Sequence, residues 1–290
     1  MSIGGSYNGR DIKRAMGMLA KLVASMRSQP AEQMPADALP LELEEKLNRL
    51  HARADVRRHL AILHGDFSIG GEPYVDLFFR CLSETGTALT PFTVFQRFQT
   101  RRDLARYFLA TLDVPGARGE CGTYRGATAL LLCHAWRSRR ADFTGVGFHL
   151  IDSFSGTSEP TPHDLIPVRE ADGSTRLSHF FTPGKTDVTA ELVRGHLSAF
   201  PDARICAGWV PQVFAQLPET QWAFIHLDLT LYEPTLQALR YFHARLAPGG
   251  VLVCTGSTFC PGVQRAVDEF TSDTGAAYVV HAHDVRVFLG

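Results

Sequence analysis

From Pro115 to the C-terminus the sequence alternates short apolar runs with helical segments, and nothing else in it restricts the fold as much. The runs are GARGECGT (116–123), GVGFHLID (145–152), ARICAG (203–208), WAFIHLD (222–228) and VLVC (251–254). Between them the spacing predicts helices at 127–138, 187–199, 211–217 and 233–246, with another at 262–273 after the last run. Strands that alternate with helices read as a parallel sheet with helices on both faces. The final runs, AAYVVHA and VRVFLG, have no helix between them and form a hairpin-like end. The prediction is an α/β, doubly wound, seven-stranded sheet whose terminal strand is antiparallel. A polar stretch with four prolines, 153–185, reads as a long loop, of the length and composition of an active-site lid.

Two units are predicted: a helical N-terminal region over 1–90 and the α/β domain over 91–290. In the first, Ile12, Met16, Leu19, Val23 and Met26 recur at helical spacing with basic residues between them. That pattern suits a surface helix packed on the domain or on a second subunit, and it lacks the continuous apolar core of a signal peptide. Residues 28–41 hold three prolines and read as a linker, 42–65 as a charged helix, and Tyr74–Leu82 as a short helix. TRRDLARYFLATL (100–112) reads as an amphipathic helix stopped by Pro115–Gly116, with Arg101 and Arg102 either on a solvated face or placed to meet an anionic group.

Net charge is −1, which gives no footprint for nucleic acid and leaves a small molecule as the expected partner. No run approaches the length of a membrane span. The six cysteines are scattered and mostly apolar in setting, as for reduced thiols in a cytoplasmic protein. Cys254 and Cys260 are the closest pair, with no second pair to complete a zinc site.

In open α/β sheets, ligands bind beyond the carboxyl ends of the strands. Asp152, Asp228 and the turn Cys254–Ser257 all fall there. In ECGTYRG (120–126), Gly122 and Gly126 allow a tight turn and close backbone approach, and a helix N-terminus follows. The stretch is neither GxGxxG nor a phosphate loop. Asp152 ends the next strand, placed either to accept both hydroxyls of a ribose or to cap the turn DSFSG. Without a diphosphate cradle, S-adenosylmethionine is a better match than NAD.

Five blocks, in order, carry a resemblance: VPGARGECGTYRG, HLIDSFSGTSEPTPHDL, GWVPQVFAQLPE, HLDLTLYEPT and LAPGGVLVC…CPGVQRAVDEF. From about Pro91 onward the chain resembles the macrocin O-methyltransferase family, sugar O-methyltransferases of natural-product biosynthesis. The resemblance implies a class I methyltransferase (Rossmann-like) fold and S-adenosylmethionine as cofactor. It implies that Glu120, Gly122, Tyr124 and Gly126 line the methionine end, that Asp152 and Ser153 hold the ribose, and that Gly208 and Trp209 border the adenine. It also implies a homodimer or a substrate cover built from the N-terminal region.

The catalytic half departs from that family. Its pattern is LDxDLYEP at the fourth strand and a DDY triplet after the fifth, and three of those acids bind a divalent cation while the second Asp of LDxD is the usual base. Here Asp228 remains, Thr230 stands for the second Asp, Thr255–Gly256 stand for the acid pair and Ser257 for the tyrosine. A lone carboxylate is a poor magnesium site, so magnesium is not expected. The expected function is a metal-independent S-adenosylmethionine-dependent O-methyltransferase acting on a small hydroxyl acceptor. Asp228, Thr230 and His226 are its catalytic candidates, with His149, His163 and His179 as further histidines near the site; Tyr232 could meet substrate. The alternatives are a methyltransferase fold turned to a different reaction, or a non-catalytic scaffold.

Overall fold

The computed structural model describes residues 67–88, 97–169, 173–178, 183–184, 186–257, 260–281 and 285–290. The expected helices at 12–26 and 42–65, the linker between them, and His179 lie outside these residues.

The elements are β1 (Ser68–Ile69), β2 (Glu72–Pro73), α1 (Tyr74–Glu84), α2 (Arg97–Ala110), β3 (Ala117–Cys121), α3 (Ala127–Arg137), β4 (Phe148–Asp152), β5 (Ile166–Arg169) and β6 (Thr175–Ser178). There follow α4 (Ala190–His196), β7 (Arg204–Ala207), β8 (Trp222–Leu227), α5 (Tyr232–His243), β9 (Leu246–Cys254), α6 (Pro261–Thr274), β10 (Val279–His281) and β11 (Val285–Leu289). Seven strands form one sheet in the order β10-β11-β9-β8-β3-β4-β7. β3 pairs in parallel with β4 and β8, β4 with β7, and β8 with β9. β11 runs antiparallel to β9 and β10 antiparallel to β11. The predicted sheet and its antiparallel end are therefore found.

The central strands are buried on both faces, as in a sheet covered on both sides. Their side chains alternate between two cores. Phe148, Leu150, Phe224 and Val253 pack with α1, α2 and α3, whereas Ile151, Ile225, Leu252 and Cys254 pack with α5 and α6. Trp136 and Trp222 are both buried, as expected of core residues.

One expectation needs revision. The stretch 153–185 is not uniformly loop, since β5 and β6 form an antiparallel hairpin within it. In the described part before residue 90, Ile69, Tyr74, Leu77 and Phe78 share a buried cluster with Leu130, Phe148 and Phe224.

Arg118 ties α2 to the sheet. Its guanidinium donates to the carbonyls of Thr111, Leu112, Val114 and Gly116 and lies over the Trp136 ring. These carbonyls lie in the connection that leaves α2 after Ala110, so the cation holds that connection against the sheet. This anchors α2, the helix that carries two of the arginines at the site described next.

Candidate active site

The β3–α3 turn is shaped for close approach. Gly122 adopts φ +91°, and a Cβ there would sit 2.4 Å from the carbonyl oxygen of Asp228, so only glycine lets the β3 and β8 ends meet. Asp152, at the end of β4, is locked by two backbone N–H groups: Tyr124 donates to one oxygen and Phe154 to the other, each at 2.9 Å. Both donors sit at positive φ, an uncommon state for residues with side chains. Burial pushes the Asp152 carboxyl up from its ordinary value, while these N–H groups pull it back. The carboxylate thus serves the turn, as one reading of the sequence had it, and also stands between two exposed aromatic residues, Tyr124 after β3 and Trp209 after β7. Gly208 keeps the backbone extended before Trp209. The Ser153 hydroxyl is engaged locally, donating to Gly156 and accepting from Ser155 N–H.

Glu120 is buried in β3. One of its oxygens meets His226 Nδ1 at 2.8 Å, and the other has no partner among the described residues. A buried carboxylate oxygen without a donor costs free energy unless a ligand supplies one, and an α-ammonium group would do so. The glycine turn, the fixed Asp152, the flanking aromatics and this orphaned oxygen suit an amino-acid-bearing nucleoside such as S-adenosylmethionine.

The other half centres on Asp228. Its Oδ2 receives Arg101 at 2.5 Å and Arg97 at 3.4 Å, both from α2. Its Oδ1 accepts from the Thr255 hydroxyl at 3.0 Å. Arg101 is held from behind by Thr128, to which its Nε donates at 2.7 Å, and its side chain is only 5% exposed. The arginines hold the Asp228 carboxyl well below the usual carboxylate range, against the opposing effect of burial. Arg101 is therefore not on a solvated face, the first of its two sequence readings. Its partner lies 127 residues away, where no local pattern could show it.

Thr255 also links Asp228 inward, since its hydroxyl lies 3.1 Å from His226 Nε2. A run of polar contacts joins Glu120, His226, Thr255, Asp228 and Arg101. His226 is fully buried with both ring nitrogens engaged, by Glu120 and by Thr255. His149 is also buried, beside Trp222. Thr230 lies half-buried in the connection from β8 to α5.

The loop after β4 is pinned over this edge. Asp164 is buried and accepts from the N–H of Tyr232 at 2.7 Å, while also closing a turn with Thr161. It caps α5, whose own N-cap, Leu231, has no side chain able to do so. A Cβ on Gly262 of α6 would sit 1.9 Å from the Asp164 carboxylate, so glycine leaves room for the latch. His163 is exposed and stacks on Tyr232, ring centroids 4.1 Å apart, with its carbonyl accepting from Arg265. The Tyr232 hydroxyl donates to Glu269 and is pushed up to about 12 by that hydrogen bond.

This donor set does not fit a magnesium ion. Hard cations take several oxygen ligands, usually including more than one carboxylate. Here one carboxylate already faces two guanidinium groups and a hydroxyl. Among the described residues no group of three His, Cys, Asp or Glu side chains is arranged around a common point for a metal.

The chain is similar to known proteins in sequence and in fold. The family model of the macrocin O-methyltransferases matches residues 92–287. An 8-demethyl-8-(2,3-dimethoxy-alpha-L-rhamnosyl)-tetracenomycin-C 4'-O-methyltransferase from Streptomyces olivaceus is 30% identical over 165 residues, 53% of this chain and 58% of that protein. The match thus spans less than two thirds of that relative. Among solved structures, the O-methyltransferase NovP superposes with a TM-score of 0.57 at 18% identity, over 74% of this chain and 98% of that one. The calicheamicin methyltransferase CalS11 superposes with a TM-score of 0.51 at 17% identity, over 74% and 91%. At such identities the superpositions show the fold.

Proposed function

Since the chain belongs to the macrocin O-methyltransferase family, we propose that it transfers a methyl group from S-adenosylmethionine to an oxygen of a small natural-product acceptor, without a resident magnesium ion. The observation that carries the second half is the saturation of Asp228 by Arg101, Arg97 and Thr255. When bound, the cofactor supplies an electrophilic methyl on a sulfonium sulfur.

The chain's own residues bind and orient. Asp152 accepts the ribose hydroxyls, Tyr124 and Trp209 flank the nucleoside, and Gly122 and Gly126 let the backbone meet the methionine portion. The unpaired Glu120 oxygen receives the ammonium. Asp228 does not serve as the base, because a carboxylate held by two arginines has little affinity for a proton. Its task is to fix Arg101. Holding two reactants aligned supplies a large part of the acceleration in such a displacement.

The ribose assignment is tested by Asp152→Ala in a calorimetric titration with S-adenosylhomocysteine. Loss of binding with the fold retained supports the assignment, and unchanged affinity refutes it.

A further inference from the structure

The sheet register sets a row of polar side chains across three strand ends. Glu120 of β3 pairs in parallel with His226 of β8, so the two side chains fall on one face. Leu227 of β8 pairs with Cys254 of β9, and the N–H of Thr255 donates to the carbonyl of Leu227. That bond brings the Thr255 hydroxyl beside the histidine ring. His226 Nδ1 meets Glu120 Oε1 at 2.8 Å, and His226 Nε2 meets the Thr255 hydroxyl at 3.1 Å. The hydroxyl donates to Asp228 Oδ1 at 3.0 Å, with the Leu227 carbonyl farther off at 3.4 Å. Glu120, His226 and Thr255 are all buried.

A hydroxyl has one hydrogen. With that hydrogen given to Asp228, the Thr255 oxygen is left to accept, so Nε2 donates to it. The contact at Nδ1 then needs a proton of its own, carried either by the ring or by the carboxyl. In both forms this proton lies between Nδ1 and Oε1. Glu120 Oε2, which has no partner among the described residues, is therefore an acceptor in both forms. Deprived of the ring, the carboxyl is free to turn and to carry a proton on either oxygen. A ring held at both nitrogens has one orientation, and Thr255 sets it from the far side.

We propose that His226 and Thr255 are positioning residues for the cofactor: they hold the Glu120 carboxyl with Oε2 as an acceptor for the amino group of S-adenosylmethionine, and so set how strongly the amino-acid end is recognised. This rests on the methyltransferase reading and on the place of Glu120 within it, and it names the residues that tune one end of that site. His226 touches Glu120 itself, whereas Thr255 acts through the ring. The ribose end, at Asp152, is held by other contacts. Partners behind a ligand-binding side chain alter affinity without touching the ligand, by ~10–100-fold at metal sites.

The test compares two ligands by calorimetric titration into the full chain. S-adenosylhomocysteine carries the amino-acid end, and methylthioadenosine keeps the nucleoside and the sulfur but lacks that end. The ratio of their affinities reads the amino-acid end alone. In the unaltered protein S-adenosylhomocysteine should bind the tighter, and Glu120→Leu should remove most of that advantage. His226→Leu should lower the ratio roughly tenfold and Thr255→Val roughly threefold, with affinity for methylthioadenosine held within about twofold. His226→Asn, which keeps an amide at the place of Nδ1, should recover most of the loss, and it serves as the probe should His226→Leu not fold. In a chain that already carries Glu120→Leu, Thr255→Val should change the ratio no further. A ratio indifferent to the His226 and Thr255 variants, or equal losses for the two ligands, overturns the inference and leaves the methyltransferase reading intact. A ratio unmoved by Glu120→Leu overturns it together with the place of the amino group at Glu120. Unaltered protein that binds neither ligand overturns the cofactor reading as a whole.

Discussion

Replacing Asp228 by Asn removes the charge that compensates Arg101 and keeps the size of the side chain. Arg101 is 5% exposed and Asp228 15%, so the pair is close to buried. Removing one partner of a buried pair typically costs ~3–5 kcal/mol, because the remaining charge is left without compensation. Some exposure and the amide oxygen's residual hydrogen bonds place Asp228→Asn at the lower end, about 3 kcal/mol. Arg97→Met touches the same carboxylate from a side chain that is 35% exposed and 3.4 Å away. Such a pair is worth only ~0–1 kcal/mol. Urea unfolding of both variants at neutral pH should separate them by about 2–3 kcal/mol. In thermal melts Asp228→Asn should lower Tm by roughly 6–12 °C.

The pH dependence has a definite sign. A carboxyl depressed in the folded state contributes stability that is present above its unfolded value, near ~4, and lost as pH falls through its lower folded value. The gap between wild type and Asp228→Asn should therefore hold from pH 8 to about 5 and close in stronger acid. Equal costs for the two variants, or a gap that widens in acid, would refute the assignment of Arg101 to Asp228.

Other consequences follow from the same contacts. Thr255→Val deletes the hydroxyl between His226 and Asp228 and should cost ~1–3 kcal/mol by urea unfolding; no loss would mean that the polar run carries no weight. Gly262→Ala sets a methyl against Asp164, so limited proteolysis should cut the 153–165 segment faster; unchanged cutting would mean the latch yields without opening. Burial pushes His149 down to about 4, so its ring resonances should stay unshifted from pH 8 to near 5, and its contribution to stability, present above the unfolded value near ~6.5, should fade as pH drops towards 4. Titration of that ring near pH 6.5 would show it to be solvated.

Much of this architecture is legible in the sequence because buried parallel strands declare themselves as apolar runs between helices. VLVC and WAFIHL needed no tertiary information. The chemistry at the strand ends was legible in part. Asp152 and Asp228 stand out as acids closing apolar runs. Gly122 stands out because a strand that turns directly into a helix needs a residue tolerant of positive φ.

What stayed hidden depends on contacts between distant segments. Arg101 sits in a helix rich in charge, and its burial follows from Asp228 and Thr128 arriving from two other elements. His226 reads as a candidate base until Glu120, 106 residues earlier, is seen beside it. The β5–β6 hairpin was missed because its strands are only four residues each and lie within a stretch rich in proline, glycine and polar residues.

The central claim is a cofactor site that works without magnesium. It is tested most directly by titrating S-adenosylmethionine and S-adenosylhomocysteine calorimetrically into the protein, first in chelator and then with magnesium added. The account predicts micromolar binding of both, the same in either condition. Binding that appears or strengthens severalfold only when magnesium is present would contradict it.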